Sequence, residues 1–209
     1  MTQPNFDFEN QYEGVIAGVD EAGCGPWAGP VVAVAVIIDQ RLFPQHFIEK
    51  INDSKKLSKR QRENLYHQLV DHPCIDYCIA NSSVEEIDQL NISQATQLAM
   101  RRAVTGLEVK PDHLLIDGVR DPRLDYASHL IVKGDQKSFS IATASIIAKV
   151  KRDEMMTHLH QDFPFFGWDK NAGYGTLIHR QGLQRYGVTP HHRRSFAPIR
   201  QLLETRSMD

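Results

Sequence analysis

The sequence predicts an α/β protein in which a mixed sheet is covered by helices. Three observations predict it: short β-branched runs of strand length come first, a stretch with helical spacing follows, and strand-like and helical segments then alternate. The 209 residues allow one core with a C-terminal remainder, because domains commonly run to ~100–150 residues. Expected boundaries are a flexible N-terminal segment over 1–13, a core over 14–165 and a helical extension over 166–209.

Each element has a local reason. Val15 to Asp20 is a β-branched run ending in a carboxylate. Gly23 to Pro30 holds three glycines and two prolines in eight residues, which is a tight connection. VVAVAVII, from Val31 to Ile38, lacks polar alternation and reads as a strand buried on both faces. Cys74 to Ala80 is a third strand, and the short links imply an antiparallel meander. From Val84 to Leu107, Ile87, Leu90, Ala95, Leu98 and Ala99 recur near helical spacing and predict one helix. HLLID (113–117) and Leu130 to Val132 are strand-like, and Ser138 to His160 reads as one long helix.

Composition narrows the class. With 41% hydrophobic and 24% charged residues the chain is neither disordered nor fibrous. The longest apolar run, Val31 to Ile38, is too short to span a bilayer. The N-terminus shows neither a basic nor an apolar targeting region, so a cytoplasmic location without a membrane partner is expected. Three cysteines, Cys24, Cys74 and Cys78, cannot form a disulfide framework.

The net charge of −2 hides segregation. Residues 1–132 carry 12 Lys/Arg against 19 Asp/Glu, whereas 133–152 carry 5 against 1 and 174–209 carry 6 against 2. Two basic segments in an acidic chain point toward phosphate groups.

Three strand candidates end in acids: Asp20 with Glu21, Asp117, and Asp135. Strand ends are where open α/β sheets place ligand sites. Four carboxylates gathered there would repel one another unless a cation intervened. With no soft or imidazole ligand beside them, a hard divalent cation such as Mg²⁺ suits the set.

The motifs then become specific. GVDEAGCGPWAGPVV (18–32), DSKKLS (53–58), IDG (116–118), KGD (133–135) with IATASIIAKVKRD (141–153), GYGT (173–176) and HRRSFAP (192–198) together resemble bacterial ribonuclease HII, in that family's order and over about residues 14–200. The resemblance implies a ribonuclease H-like fold, a five-stranded mixed sheet flanked by helices, with the C-terminal helical extension beside the active site. It implies an endonuclease that hydrolyses the RNA strand of RNA/DNA hybrids and cuts 5′ of single ribonucleotides embedded in duplex DNA, leaving 3′-hydroxyl and 5′-phosphate ends. The family's acidic quartet falls on Asp20, Glu21, Asp117 and Asp135, as catalytic residues and ligands of two divalent ions, Mn²⁺ or Mg²⁺. Substrate contacts fall on Gly23, Cys24, Gly25, Ser54, Lys55 and Tyr174: main chain toward the 2′-hydroxyl at the glycine turn, phosphate contacts at Ser54 and Lys55, and a stacking ring at Tyr174. A monomer is the implied state.

One position departs from the family. Its loop has arginine between two glycines, where this chain has Cys24. A thiol supplies neither the charge nor the fork of donors. Retained chemistry with weaker substrate binding or junction recognition is expected; the alternative is a catalytically weakened nucleic-acid binding protein of the same fold. Trp27, where a smaller aliphatic residue is usual, is expected to fill space against the sheet. His72, Cys74 and Cys78 lack the second half of a zinc knuckle, and the two cysteines read as buried strand residues. His191 to Arg194 read as phosphate contacts or a helix-end charge cluster. Gln201, Leu202 and Leu203 hint at a replication sliding-clamp peptide, although an amphipathic closing helix explains them better.

Overall fold

The computed structural model describes residues 3–51, 57–119 and 121–206. Five strands, β1 (Ile16–Ala22), β2 (Val31–Ile38), β3 (Ile75–Ser82), β4 (His113–Asp117) and β5 (Ala127–Ile131), form one mixed sheet in the order β3-β2-β1-β4-β5. β1, β2 and β3 pair antiparallel, and β4 and β5 run parallel to β1. Around the sheet lie α1 (Gln45–Lys50), α2 (Lys59–Val70), α3 (Val84–Leu90), α4 (Ile92–Thr105) and α5 (Phe139–Asp162), followed by α6 (Trp168–Asn171), α7 (Leu177–Tyr186) and α8 (Ala197–Arg206).

The unbroken apolar character of β2 has a direct cause. Val34 and Val36 face a core built with Phe47 of α1, Leu65 and Leu69 of α2, and Phe139, Ala142, Ile146 and Val150 of α5. Val31, Ala33 and Ala35 face the opposite core, with Ala95, Ala99, Met100 and Ala103 of α4. A strand buried on both faces has no use for polar alternation. Each fully buried Val or Leu contributes roughly 1.5–3 kcal/mol of transfer free energy. Among the described residues no helix is long and apolar enough to cross a membrane.

The structure departs from the sequence expectations in three places. The helix expected over 84–107 breaks at Asn91, whose backbone is left-handed (φ 70°) and whose side chain accepts from the N–H groups of Ser93 and Gln94, capping α4 as α3 ends. Hydrophobic periodicity runs through such a break because both helices pack on the same sheet face. The strand expected at 130–132 lies at Ala127–Ile131, and Lys133 turns left-handed after it (φ 57°).

The segment expected to be flexible, 1–13, is packed over its described residues. Phe6 lies against Phe43 and Phe139, Asn5 pairs with the backbone at Lys137 and Phe139, and Glu9 is buried. The Glu9 Oε1 atom accepts from Ser138 Oγ, Ser140 N and Ser140 Oγ at 2.6–2.9 Å. A carboxylate there faces the positive end of the 24-residue α5. Local hydrophilicity concealed this docking, because its partners lie about 130 residues away in sequence.

The C-terminal extension shares its core with the rest of the chain. Phe166, Trp168, Leu183 and Ile199 pack with Ala28 from the β1–β2 connection and Met156 from α5. Leu202 and Leu203 lie against the same cluster, as the closing-helix reading of 201–203 expected.

Candidate active site

The central strand carries the site. The parallel register Val19↔Ile116 places Asp117 beside Asp20, one residue further along each strand. Asp20 is buried, and its Oδ1 accepts the Glu21 N–H at 2.7 Å. The Ser145 hydroxyl, reaching down from α5, also bonds the Asp20 carboxyl. Burial first, then the Glu21 and Asp117 carboxyls, push the Asp20 pKa well above the ordinary carboxylate value.

Asp117 is held by the next loop, where the Gly134 N–H donates to its Oδ1 at 2.6 Å. Asp135, the following residue, is buried in the single 3₁₀ turn Gly134–Gln136. The fold therefore brings Asp20, Glu21 and Asp117 within electrostatic reach of one another and sets Asp135 on the turn that grips Asp117. They are spread rather than closed round one point: among the described residues no group of three or more His, Cys, Asp or Glu side chains is placed to hold a metal ion. The donor set still fits a hard divalent cation, since it is all carboxylate oxygen and a positive charge would relieve the repulsion felt at Asp20.

Beyond Ala22 the chain turns through Gly23, whose left-handed backbone (φ 104°) and missing side chain leave room for Arg152; a β-carbon there would strike its Nε atom. Cys24 turns its thiol inward, donating to Glu21 Oε1 at 3.3 Å and lying 3.4 Å from Thr96 Oγ1. Gly25 is exposed, and a β-carbon on it would come within 3.3 Å of Tyr174 Cε1. The half-exposed Tyr174 ring thus stands against the turn. Ser54 and Lys55 lie outside the described residues.

Two histidines hold the Tyr174 loop. The Thr189 N–H donates to His192 Nδ1 at 3.0 Å, so His192 carries its proton on Nε2 and donates it to His179 Nε2, 3.0 Å away. His179 Nδ1 then donates to the Tyr174 carbonyl at 3.0 Å. Burial, then the His179 neighbour, pull the His192 pKa down to about 3, and burial lowers that of His179. Both rings are neutral structural members.

Sequence reasoning missed the group behind the turn. Arg152 and Arg193 are buried side by side, both donating to the Pro30 carbonyl. Burial, then the Arg152 charge, bring the Arg193 pKa down to about 9. The reading of His192 and Arg193 as phosphate contacts or a helix-end cluster is corrected: both are fully buried. Trp27 packs over Gly175 and beside Arg180, on the extension and not against the sheet. Cys74 is buried, with His72 Nδ1 2.9 Å from its sulfur, and Cys78 is half-buried in β3.

The comparisons with known proteins concern the family and the fold. A family model described as ribonuclease HII matches residues 17–199. The chain is 52% identical to a ribonuclease HII of Burkholderia thailandensis, covering 97% of this chain and 92% of that protein. It is 50% identical to one of Paramagnetospirillum magneticum, over 96% of this chain and 98% of the relative. Among solved structures, the ribonuclease H2 of Pyrococcus horikoshii superposes with a TM-score of 0.78 at 28% identity, covering 93% of this chain and all of that one. The Archaeoglobus fulgidus ribonuclease HII, solved as a complex with PCNA, matches with a TM-score of 0.71 at 26% identity, over 86% and 93% of the two chains. The sheet order and flanking helices are those of the ribonuclease H-like fold. The chain belongs to the ribonuclease HII family and is a type 2 ribonuclease H, an endonuclease of RNA/DNA hybrids.

Proposed function

We propose that this chain, besides cutting the RNA strand of hybrids, cuts duplex DNA on the 5′ side of a single embedded ribonucleotide and leaves 3′-hydroxyl and 5′-phosphate ends. One observation carries the reading: Asp20, buried at mid-sheet, is crowded by Glu21 and Asp117, and the glycine turn that follows it meets Tyr174. Asp20, Glu21, Asp117 and Asp135 are the residues that would hold two divalent ions, Mg²⁺ or Mn²⁺, with Asp20 as the shared ligand. When bound, such ions lower the pKa of an attacking water and stabilise a leaving 3′-oxygen.

The chain's own contribution is position. Ser145 and the Glu21 N–H hold the Asp20 carboxyl, Gly134 holds Asp117, and the Cys24 thiol holds Glu21. No side chain acts as a covalent nucleophile. The 2′-hydroxyl is the group that separates a ribonucleotide from its deoxy neighbours. Main-chain groups of Gly23, Cys24 and Gly25 meet it, because glycines let the backbone approach the sugar closely. Tyr174 stacks on the following deoxyribose, and Ser54 and Lys55 contact backbone phosphates. Residues 14–165 and the extension 166–209 act as one unit, their cores being joined through Ala28 and Met156. The segment Gln201–Leu203 would have to withdraw both leucines from that core to bind a sliding clamp.

The test is incubation with Mg²⁺ or Mn²⁺ and duplexes containing none, one or several ribonucleotides. Cutting confined to ribonucleotide-containing duplexes, on the 5′ side of a single one, is expected. Absence of cutting with either ion would favour a catalytically weakened binder, and cutting of all-DNA duplex a different nuclease.

A further inference from the structure

The turn after β1 is shaped from beneath by a cation. Arg193 Nη2 donates to Gly23 O at 2.7 Å and Nη1 to Cys24 O at 3.2 Å, while Nε reaches Gly29 O at 2.9 Å and Nη2 also reaches Pro30 O at 3.2 Å. One planar fork therefore ties the two ends of the Gly23–Pro30 connection together. The described peptide bonds are all trans, so each carbonyl and the N–H of the next residue point opposite ways. With the Gly23 and Cys24 carbonyls drawn inward to Arg193, the N–H bonds of Cys24 and Gly25 are aimed outward, on the side where Gly25 is exposed and Tyr174 stands. Successive N–H groups on a glycine-flanked turn form a concavity suited to an oxygen atom.

We propose that Arg193, from the C-terminal extension, is the positioning residue for ribonucleotide selectivity, setting the direction of the two N–H groups that meet the 2′-oxygen. The inference rests on the reading that the Gly23–Gly25 turn contacts that hydroxyl. Residue 24 contributes its backbone to the aim, its thiol being turned to Glu21 and Thr96. A glycine–cysteine–glycine turn therefore presents the same donor pair as one with arginine at its centre. Arg152 provides an internal comparison: it is as buried and packs against Gly23, but it donates to the carbonyls of Ala28, Pro30 and Ala172 and, in its hydrogen bonds, not to those of Gly23 or Cys24.

The experiment measures, in an Asp20→Asn background that leaves substrate uncut, the ratio of affinities for a duplex with one ribonucleotide and the same duplex in all-DNA form. Adding Arg193→Lys, which keeps the charge and loses the fork, is expected to lower that ratio roughly tenfold to a hundredfold, as loss of a charge-supported hydrogen-bond geometry does. All-DNA affinity should change little, and Arg152→Lys should leave the ratio in place. Equal loss for both duplexes, or equal loss of the ratio in both lysine variants, would overturn the proposal by showing a general packing role. If the Asp20→Asn protein itself shows no ribonucleotide preference, the reading of the turn fails and the proposal with it. Should Arg193→Lys not fold, the buried Arg193 N–H resonances of the Asp20→Asn protein serve instead. They are expected to shift with the ribonucleotide duplex and not with DNA, and an equal response to both would count against the idea.

Discussion

Carboxyls and guanidiniums are each crowded in this molecule, at the end of β1 and behind the turn that follows it, and the two crowds are treated differently. Burial, then the neighbouring Glu21 and Asp117 carboxyls, raise the Asp20 pKa despite the Ser145 and Glu21 hydrogen bonds. Arg152 and Arg193 are also buried against a like charge, yet their N–H groups end on main-chain carbonyls of Gly23, Cys24, Ala28, Gly29, Pro30 and Ala172. Burial, then the Arg152 charge, lower the Arg193 pKa to about 9, which still leaves it charged at neutral pH, and the carbonyls hold it there as architecture. The carboxyls keep a demand for positive charge, which a divalent ion would meet under the proposed function.

The comparison breaks most visibly at Asp20. Asp20→Asn is expected to lower cleavage by at least about a thousandfold, about 4 kcal/mol of barrier. It should also raise the melting temperature in chelator. The sign follows from the raised pKa: the folded state binds the Asp20 proton more tightly than the unfolded chain, so ionised Asp20 costs stability once the pH climbs above its unfolded value. Calorimetry with and without Mn²⁺ checks both halves. Mn²⁺ should stabilise the parent protein more than the variant, and a variant melting below the parent in chelator would contradict the account of crowding.

At the second crowd the opposite holds. Arg193→Met should destabilise by about 3 kcal/mol or more, since it strands buried carbonyls at both ends of the turn. Urea titration measures the loss. A near-neutral result would mean that the turn keeps its shape without the cation.

The His179–His192 pair sharpens the contrast, because it is stable only while uncharged. The folded His192 pKa of about 3 lies below the unfolded value near 6.5, so its contribution is present above about pH 6.5 and is lost as the pH falls toward 3. The slope is of the order of 1 kcal/mol per pH unit in that window. His192→Gln should flatten this acid limb in a series of denaturation curves, and an unchanged limb would assign it to other groups.

The smallest effect is expected at Cys24. Cys24→Arg should raise kcat/KM on a single-ribonucleotide duplex about tenfold, the low end for one charge-assisted hydrogen bond. Unchanged kinetics would show that the thiol's contact with Glu21 already compensates.

Asp20, Glu21 and Asp117 were legible because each is marked locally by a β-branched or apolar run, a carboxylate and a following glycine, and Asp135 because it follows an apolar run and Gly134. The buried faces of β2 were legible for the same reason, since eight consecutive apolar residues admit few other readings. Ser145 was not, because a serine on a helix carries no sign that an aspartate lies beneath it. The break at Asn91 was hidden by continuous apolar spacing across α3 and α4.

By itself, then, the sequence determined the succession of strands and helices, the acidic residues at or just beyond apolar runs and the motif set of the family, all of which depend on patterns a few residues long. Tertiary structure alone decided which charges would be buried. Arg193 lies more than 160 residues from the carbonyls that hold it, and a charged side chain is exposed by default until such partners are supplied. The docking of Glu9 on α5 and the inward turn of the Cys24 thiol were decided in the same way. Both depend on groups that only the folded chain brings within hydrogen-bonding distance.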